Sequence, residues 1–194
     1  MALLAWDYKR DEDFKIHTVF SYLGGESSYS ALDWFSVSNP TPDYYRYMPG
    51  YQANPEVANA VEQAWRQRDP NVTQINWNEL YYVNQHGTAS PASYVVGSAV
   101  TANRSFQLNS SFDWRMDNAS YLRGGIQLRN DRVSRYQRLE DLIGGDYLLD
   151  VDPYLIDDEY YGDQAINDLQ HPNRRVGVGE RYGYNYDLDY SSYG

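Results

Sequence analysis

Odd and even positions carry different chemistry along several stretches of this chain. Between 104 and 114, Phe106, Leu108, Ser110, Phe112 and Trp114 share one parity, and Ser105, Gln107, Asn109, Ser111 and Asp113 share the other. Between 119 and 129, Ser120, Leu122, Gly124, Ile126 and Leu128 alternate with Ala119, Tyr121, Arg123, Gly125, Gln127 and Arg129. Phe14, Ile16, Thr18, Phe20 and Tyr22 alternate with Lys15, His17, Val19 and Ser21. Near the C-terminus, Tyr182, Tyr184, Tyr186, Leu188 and Tyr190 alternate with Arg181, Gly183, Asn185, Asp187 and Asp189. Successive side chains of a strand point to opposite faces, so each stretch predicts a strand with one apolar and one mostly polar face. Five strands are expected, over 2–8, 13–23, 93–114, 119–135 and 178–190.

The connections between them alternate in length. Residues 9–13 (KRDED) and 115–118 (RMDN) read as tight polar turns, whereas 23–92 and 136–175 are long excursions. Two connections of that length are rare in a compact soluble domain. Short turns at one end and long loops at the other are the pattern of outer-membrane barrels. The first excursion predicts two helices. Asn54-Pro55 caps one that runs to about Arg68, with Val57, Val61, Ala64 and Trp65 at helical spacing and Asp69-Pro70 ending it. A second runs from Asn76 to Asn84, with Trp77, Leu80 and Tyr81 on one side.

The fold class expected is therefore all-β: antiparallel strands of an outer-membrane β-barrel, partial at about five strands, with two long extracellular loops carrying short helices. Five strands cannot close a membrane barrel, which needs at least eight, so the segment is expected to be part of a larger one. Arg104 shares the parity of Phe106 and Leu108. Either a bulge shifts the register there or, as is preferred, Arg104 lies above the hydrocarbon, since a barrel strand crosses with only about 9–11 residues.

Composition narrows the partners. The 16 Lys and Arg are outnumbered by 27 Asp and Glu, for a net charge of -11. That balance argues against nucleic acid, whose phosphates need basic neutralisation. With no Cys, the chain has no disulfide framework and no thiolate metal site. No run of about 18 apolar residues predicts a membrane helix, and the N-terminal order of apolar then charged residues does not read as an export signal. There are 21 Tyr, yet mean hydropathy is -0.74, so the aromatics sit among polar neighbours.

Several blocks resemble one family. Ser30-Ala31-Leu32-Asp33-Trp34-Phe35 is followed by Pro42-Asp43-Tyr44-Tyr45-Arg46-Tyr47-Met48-Pro49 and by Ile75-Asn76-Trp77-Asn78-Glu79-Leu80-Tyr81. Then come residues 141–152 (DLIGGDYLLDVD), Asn167-Asp168-Leu169, Pro172-Asn173-Arg174 and residues 178–184 (VGERYGY). In this order they resemble the TonB-dependent outer-membrane receptors of the Bacteroidetes type. The resemblance implies that residues 1–194 are an interior stretch of the barrel of such a receptor, without its plug domain. It implies residence in the cell outer membrane and import of a large nutrient ligand (glycan, siderophore or peptide). The partners implied are outer-membrane lipid, TonB through the parent's N-terminal part, and a surface lipoprotein. No cofactor is implied.

The candidate chemistry is sparse. The acidic run Asp146, Asp150, Asp152, Asp157, Asp158 and Glu159 lacks EF-hand spacing and reads as a solvated outer loop. His17, His86 and His171 have no metal spacing, and His17 falls on a polar parity, which predicts a lumen or rim position. Gly177 and Gly179 form no dinucleotide fingerprint; glycines in an aromatic strand are expected to lie under a neighbouring ring. No nucleophile motif is present, and the chain is not read as an enzyme. Tyr182, Tyr184 and Tyr186 suit an interfacial aromatic girdle.

The loop aromatics Trp34, Phe35, Tyr44, Tyr45, Tyr47, Trp65, Trp77, Tyr81 and Tyr82, with Arg46, admit two readings. The simpler is a mini-core that holds the long loop as a compact lid. The other is a ligand platform, for which the candidates are Trp34, Tyr44, Tyr45, Arg46, Trp77 and Tyr81. Two rival functions follow: a surface glycan-binding or adhesion β-protein without transport, and a secreted glycan-degrading enzyme that uses loop carboxylates.

Overall fold

The computed structural model describes every residue except 87–90, 153, 154, 156–158, 160–164 and 173, and only the backbone of Tyr184. Asp157 and Asp158 of the acidic run, and Asn173, lie outside the described residues. The chain is mostly antiparallel β, with 52% of residues in strands and few helices. Five strands form one sheet in the order β1-β2-β3-β4-β7: β1 Ala2–Lys9, β2 Phe14–Trp34, β3 Tyr94–Arg115, β4 Tyr121–Asp141 and β7 Arg181–Tyr193. A small second sheet pairs β5 (Leu148–Leu149) with β6 (Arg175–Val176). The helices are α1 Pro55–Gln67, α2 Pro70–Thr73 and α3 Trp77–His86. By contacts the chain divides into a first unit of residues 1–29, 99–137 and 184–194 and a second of 30–98 and 138–183.

In the first unit the strands bring the apolar parities together. β1 pairs with β2 so that Leu4 lies opposite Phe20, Trp6 opposite Thr18 and Tyr8 opposite Ile16. The β2–β3 register is marked by the Thr18–Ser110 hydroxyl pair at 2.9 Å and by two ring contacts, Phe14–Trp114 and Tyr22–Phe106. The same face continues onto β4, where the Phe112 ring covers Gly124 so closely that a Cβ there would lie 2.7 Å from it. The opposite face is polar. Asp7 meets His17 at 2.5 Å, and Asp113 accepts from both Tyr121 and Arg123. Among the described residues of this unit, Val100 alone is buried. The apolar stripe stands open: Leu4 is 67% exposed, Trp6 55% and Ile126 51%.

β7 departs from the expected pattern. Gln127 exchanges two backbone hydrogen bonds with Gly194, and the Asn130 amide donates to the Ser191 hydroxyl. This register puts Tyr186, Leu188 and Tyr190 on the polar face of β4 and the odd residues of β7 on the stripe's face. There the stripe has already given way to Asn130 and Arg132, and Arg132 pairs with Asp187 at 2.6 Å. Arg104 is one of these polar successors, two residues beyond Phe106 on the same face. Arg135 donates to Thr101 in the register that also sets Gly125 against Ser111, so β3 and β4 pair without a slip there.

The second unit has a true interior. Phe35, Ala92, Val95, Leu139, Leu142, Leu148, Val176 and Tyr182 form one cluster. Leu80, Tyr94 and Ile143 form another, with Trp34, Ile75 and Val83 packed against it. Asn84 of α3 ties this second cluster together. Its amide donates to the carbonyls of Tyr94, Leu142 and Ile143, and its oxygen accepts from the Ser93 and Tyr94 N–H groups. Ile143 has φ of 47°, unfavourable for a β-branched residue. Near-complete burial and the bond from Asn84 offset that strain.

Five expectations are corrected. β2 does not stop at Leu23 but runs to Trp34, because a ladder partner outweighs the weak strand propensity of Gly24 to Ser30. Asp69-Pro70 ends α1 but also starts α2, since the Asp69 carboxylate accepts from the Asn71 N–H as a cap. Tyr182 is no girdle residue: it is buried, its hydroxyl sits 3.5 Å from Asp33 and its ring lies across Gly97. Asp150 is not solvated. It is buried, accepts from Arg174 at 2.9 Å, from Asn167 at 3.1 Å and from the Gly183 N–H at 2.8 Å. Gly177 and Gly179 have no ring over them; Gly179 takes φ of 87° in a tight turn, a conformation that favours glycine.

Candidate ligand-binding site

The segment between β2 and β3 is shaped by prolines and caps. The Asn39 side-chain oxygen, Oδ1, accepts from the Thr41 N–H and hydroxyl, which turns the chain ahead of Pro42. Two short 3₁₀ turns follow, Tyr45–Tyr47 and Pro49–Tyr51. The Tyr47 hydroxyl donates to the Asn39 carbonyl, and the Gln52 amide donates to the Arg46 carbonyl, so the turns are fastened at both ends. The Asn54 side chain accepts from the Glu56 N–H and starts α1 on Pro55, as the sequence predicts.

This framework crowds four tyrosines around one arginine. The rings of Tyr44 and Tyr45 are 4.7 Å apart, Tyr44 and Tyr47 5.3 Å, and Tyr45 and Tyr51 5.2 Å, all edge to face. The Arg46 guanidinium lies 5.6 Å from the Tyr45 ring and 6.0 Å from that of Tyr44. Its Nε donates to the Tyr45 hydroxyl at 2.9 Å. That bond, with a second from Tyr44, holds the Tyr45 phenol below its ordinary pKa.

Beside the cluster lies a cleft of about 400 Å³, lined by Pro40, Pro42, Tyr47, Gln52, Asn71, Gln74 and Asn76 among others. A second cleft of about 320 Å³ shares Asn71, Gln74 and Asn76 and carries Trp77 and Asn78. No charged side chain lines either one. Primary amides donate and accept at once, and so do sugar hydroxyls, while proline and tyrosine offer apolar faces. The pair suits a neutral polyhydroxylated chain.

The six candidates from the sequence therefore part company. Tyr44, Tyr45 and Arg46 form the exposed cluster, and Trp77 lines a cleft. Trp34 belongs to the mini-core around Leu80. Tyr81 lies against Gly144, where a Cβ would meet its ring at 2.9 Å. Phe35 is buried in the larger cluster, and Trp65 is half-buried. Trp34 and Phe35 thus pack in the interior, and Tyr44, Tyr45 and Arg46 stand outside both clusters. The amides of the clefts were not singled out from the sequence. Their signal was the run of Asn and Gln at 71–78 in an otherwise charge-rich chain, which reads equally well as a loop.

No family profile matches the chain, no curated protein matches it, and no solved structure matches it.

Proposed function

We propose that the chain is part of an outer-membrane β-barrel in a TonB-dependent uptake receptor, and that its second unit contributes contacts to a glycan ligand. One observation carries the membrane reading: the first unit presents a continuous apolar stripe across β1 to β4 with almost nothing buried behind it. An apolar face of that extent in water would be an aggregation hazard. In a bilayer it is the lipid face of a barrel, and the polar parity opposite becomes the wall of a wet lumen. The stripe on β3, from Phe106 to Trp114, has the length a tilted strand needs to cross. The sequence blocks that resemble the receptor family support the same assignment. Among the ligand classes of such receptors, the uncharged amide-lined clefts favour a glycan over a charged siderophore. The same clefts would serve a surface glycan-binding protein without transport.

The test exploits the lack of cysteine in the chain. Single cysteines at positions 106 to 112 are spin-labelled in the intact protein in its own membrane. The expected result is alternation: labels at 106, 108, 110 and 112 collide with lipid-soluble oxygen, and labels at 107, 109 and 111 with an aqueous nickel complex. Labels on the even positions that neither reagent reaches would mean a dry protein interior and would end the barrel reading.

A further inference from the structure

Arg46 is the one cation among the six candidate ligand-binding residues. In the sequence it is the only Lys or Arg between Lys15 and Arg66. Its partners among the described residues are tyrosines: Nε is held by the Tyr45 hydroxyl, and the rings of Tyr44 and Tyr45 flank it. Among the described residues no carboxylate pairs with it. Nη1 and Nη2 have no protein partner among the described residues, so both terminal nitrogens keep their donors. A guanidinium anchored through Nε, with both Nη groups open, is prepared for two parallel hydrogen bonds to a carboxylate.

The site is continuous with the cleft. Tyr47 touches Tyr44 and lines the cleft, and Gln52 both lines it and holds the Arg46 backbone. The cleft lining carries no charge, and Arg46 is connected to it through Tyr44, Tyr47 and Gln52. We propose that the cleft takes an acidic oligosaccharide, with sugar hydroxyls on the amides of Gln52, Asn71, Gln74 and Asn76 and a uronate carboxylate on Arg46. This rests on the reading of the second unit as a glycan-contacting part of the protein. The net charge of -11 does not oppose it. At physiological salt, charges more than about 8 Å away are screened, whereas a contact ion pair is screened far less.

The probe is oligogalacturonate, with its methyl ester as the neutral control, titrated calorimetrically into the full chain in detergent. The acid is expected to bind at least tenfold more tightly than the ester. Arg46→Gln should erase that difference, while Asn76→Ala weakens both and keeps the preference. Arg46→Lys should recover only part of the preference, since an ammonium cannot form the paired bonds. Equal binding of acid and ester overturns the proposal and leaves the glycan reading intact. So does a preference that survives Arg46→Gln. Binding of neither sugar overturns the proposal and the glycan reading together, while the spin-label alternation still decides the barrel. Oligoglutamate binding as tightly as oligogalacturonate replaces the glycan with an acidic peptide.

Discussion

Asp33 illustrates how a residue's chemistry depends on where its strand ends. It lies near the end of β2, in the second unit and beyond the apolar stripe. Burial raises its carboxyl above the usual range, against the Trp34 N–H and the Tyr182 hydroxyl, which favour the charged form. Tyr182 is raised as well, by burial first and by the Asp33 charge second. A carboxyl with a raised folded pKa contributes stability below its unfolded value and loses it as pH rises through the folded one. At neutral pH, above the unfolded value, the raised group therefore costs stability. Asp33→Asn keeps an acceptor for Tyr182 and removes that charge. Thermal unfolding should give the variant the higher midpoint at pH 7, with the gap closing as pH falls through the raised folded value and gone below about 4, the ordinary carboxylate value. A gap that is constant with pH would refute the account.

At the scale of elements, the described part of the second long excursion rests on a side-chain anchor beside short strand pairing. β5 and β6 are two residues each. Asp150, just after β5, gathers Arg174, Asn167 and the Gly183 N–H around one carboxylate whose side chain is 2% exposed. Removing one partner of a buried ion pair leaves the other uncompensated and costs about 3–5 kcal/mol. Asp150→Ala should destabilise the second unit by that order in denaturant titration and open residues 141–183 to limited proteolysis. Lys15→Ala, on the exposed polar face of β2, should change neither.

For the whole molecule, the decisive contrast is between adjacent residues. If the stripe faces lipid, Leu108→Arg should cost about 2–4 kcal/mol near the bilayer midplane. Gln107→Arg, one position away, should stay within about 0.5 kcal/mol. Urea unfolding from bilayers measures both. Equal costs would mean that both faces meet the same solvent.

The parity of β2, β3 and β4, the tight turns and the Asn54-capped helix were legible because each is fixed by neighbours in sequence: a period of two, a polar turn, a cap before proline. Pairing was not. Register decided that the alternating tyrosines of β7 lie on the other face from the β1–β4 stripe, and a ladder partner carried β2 on to Trp34. Burial, which sequence cannot assign to a polar residue, turned Asp150 from a solvated acid into an anchor and Tyr182 from a girdle residue into core. The candidate site divided in the same way. Tyr44, Tyr45 and Arg46 are contiguous and could be read together, but the amides of Gln52, Asn71, Gln74 and Asn76 meet only because α1 and α2 bring distant turns into one wall. Local rules determine which side of a strand is oily; only folding determines what that side is pressed against.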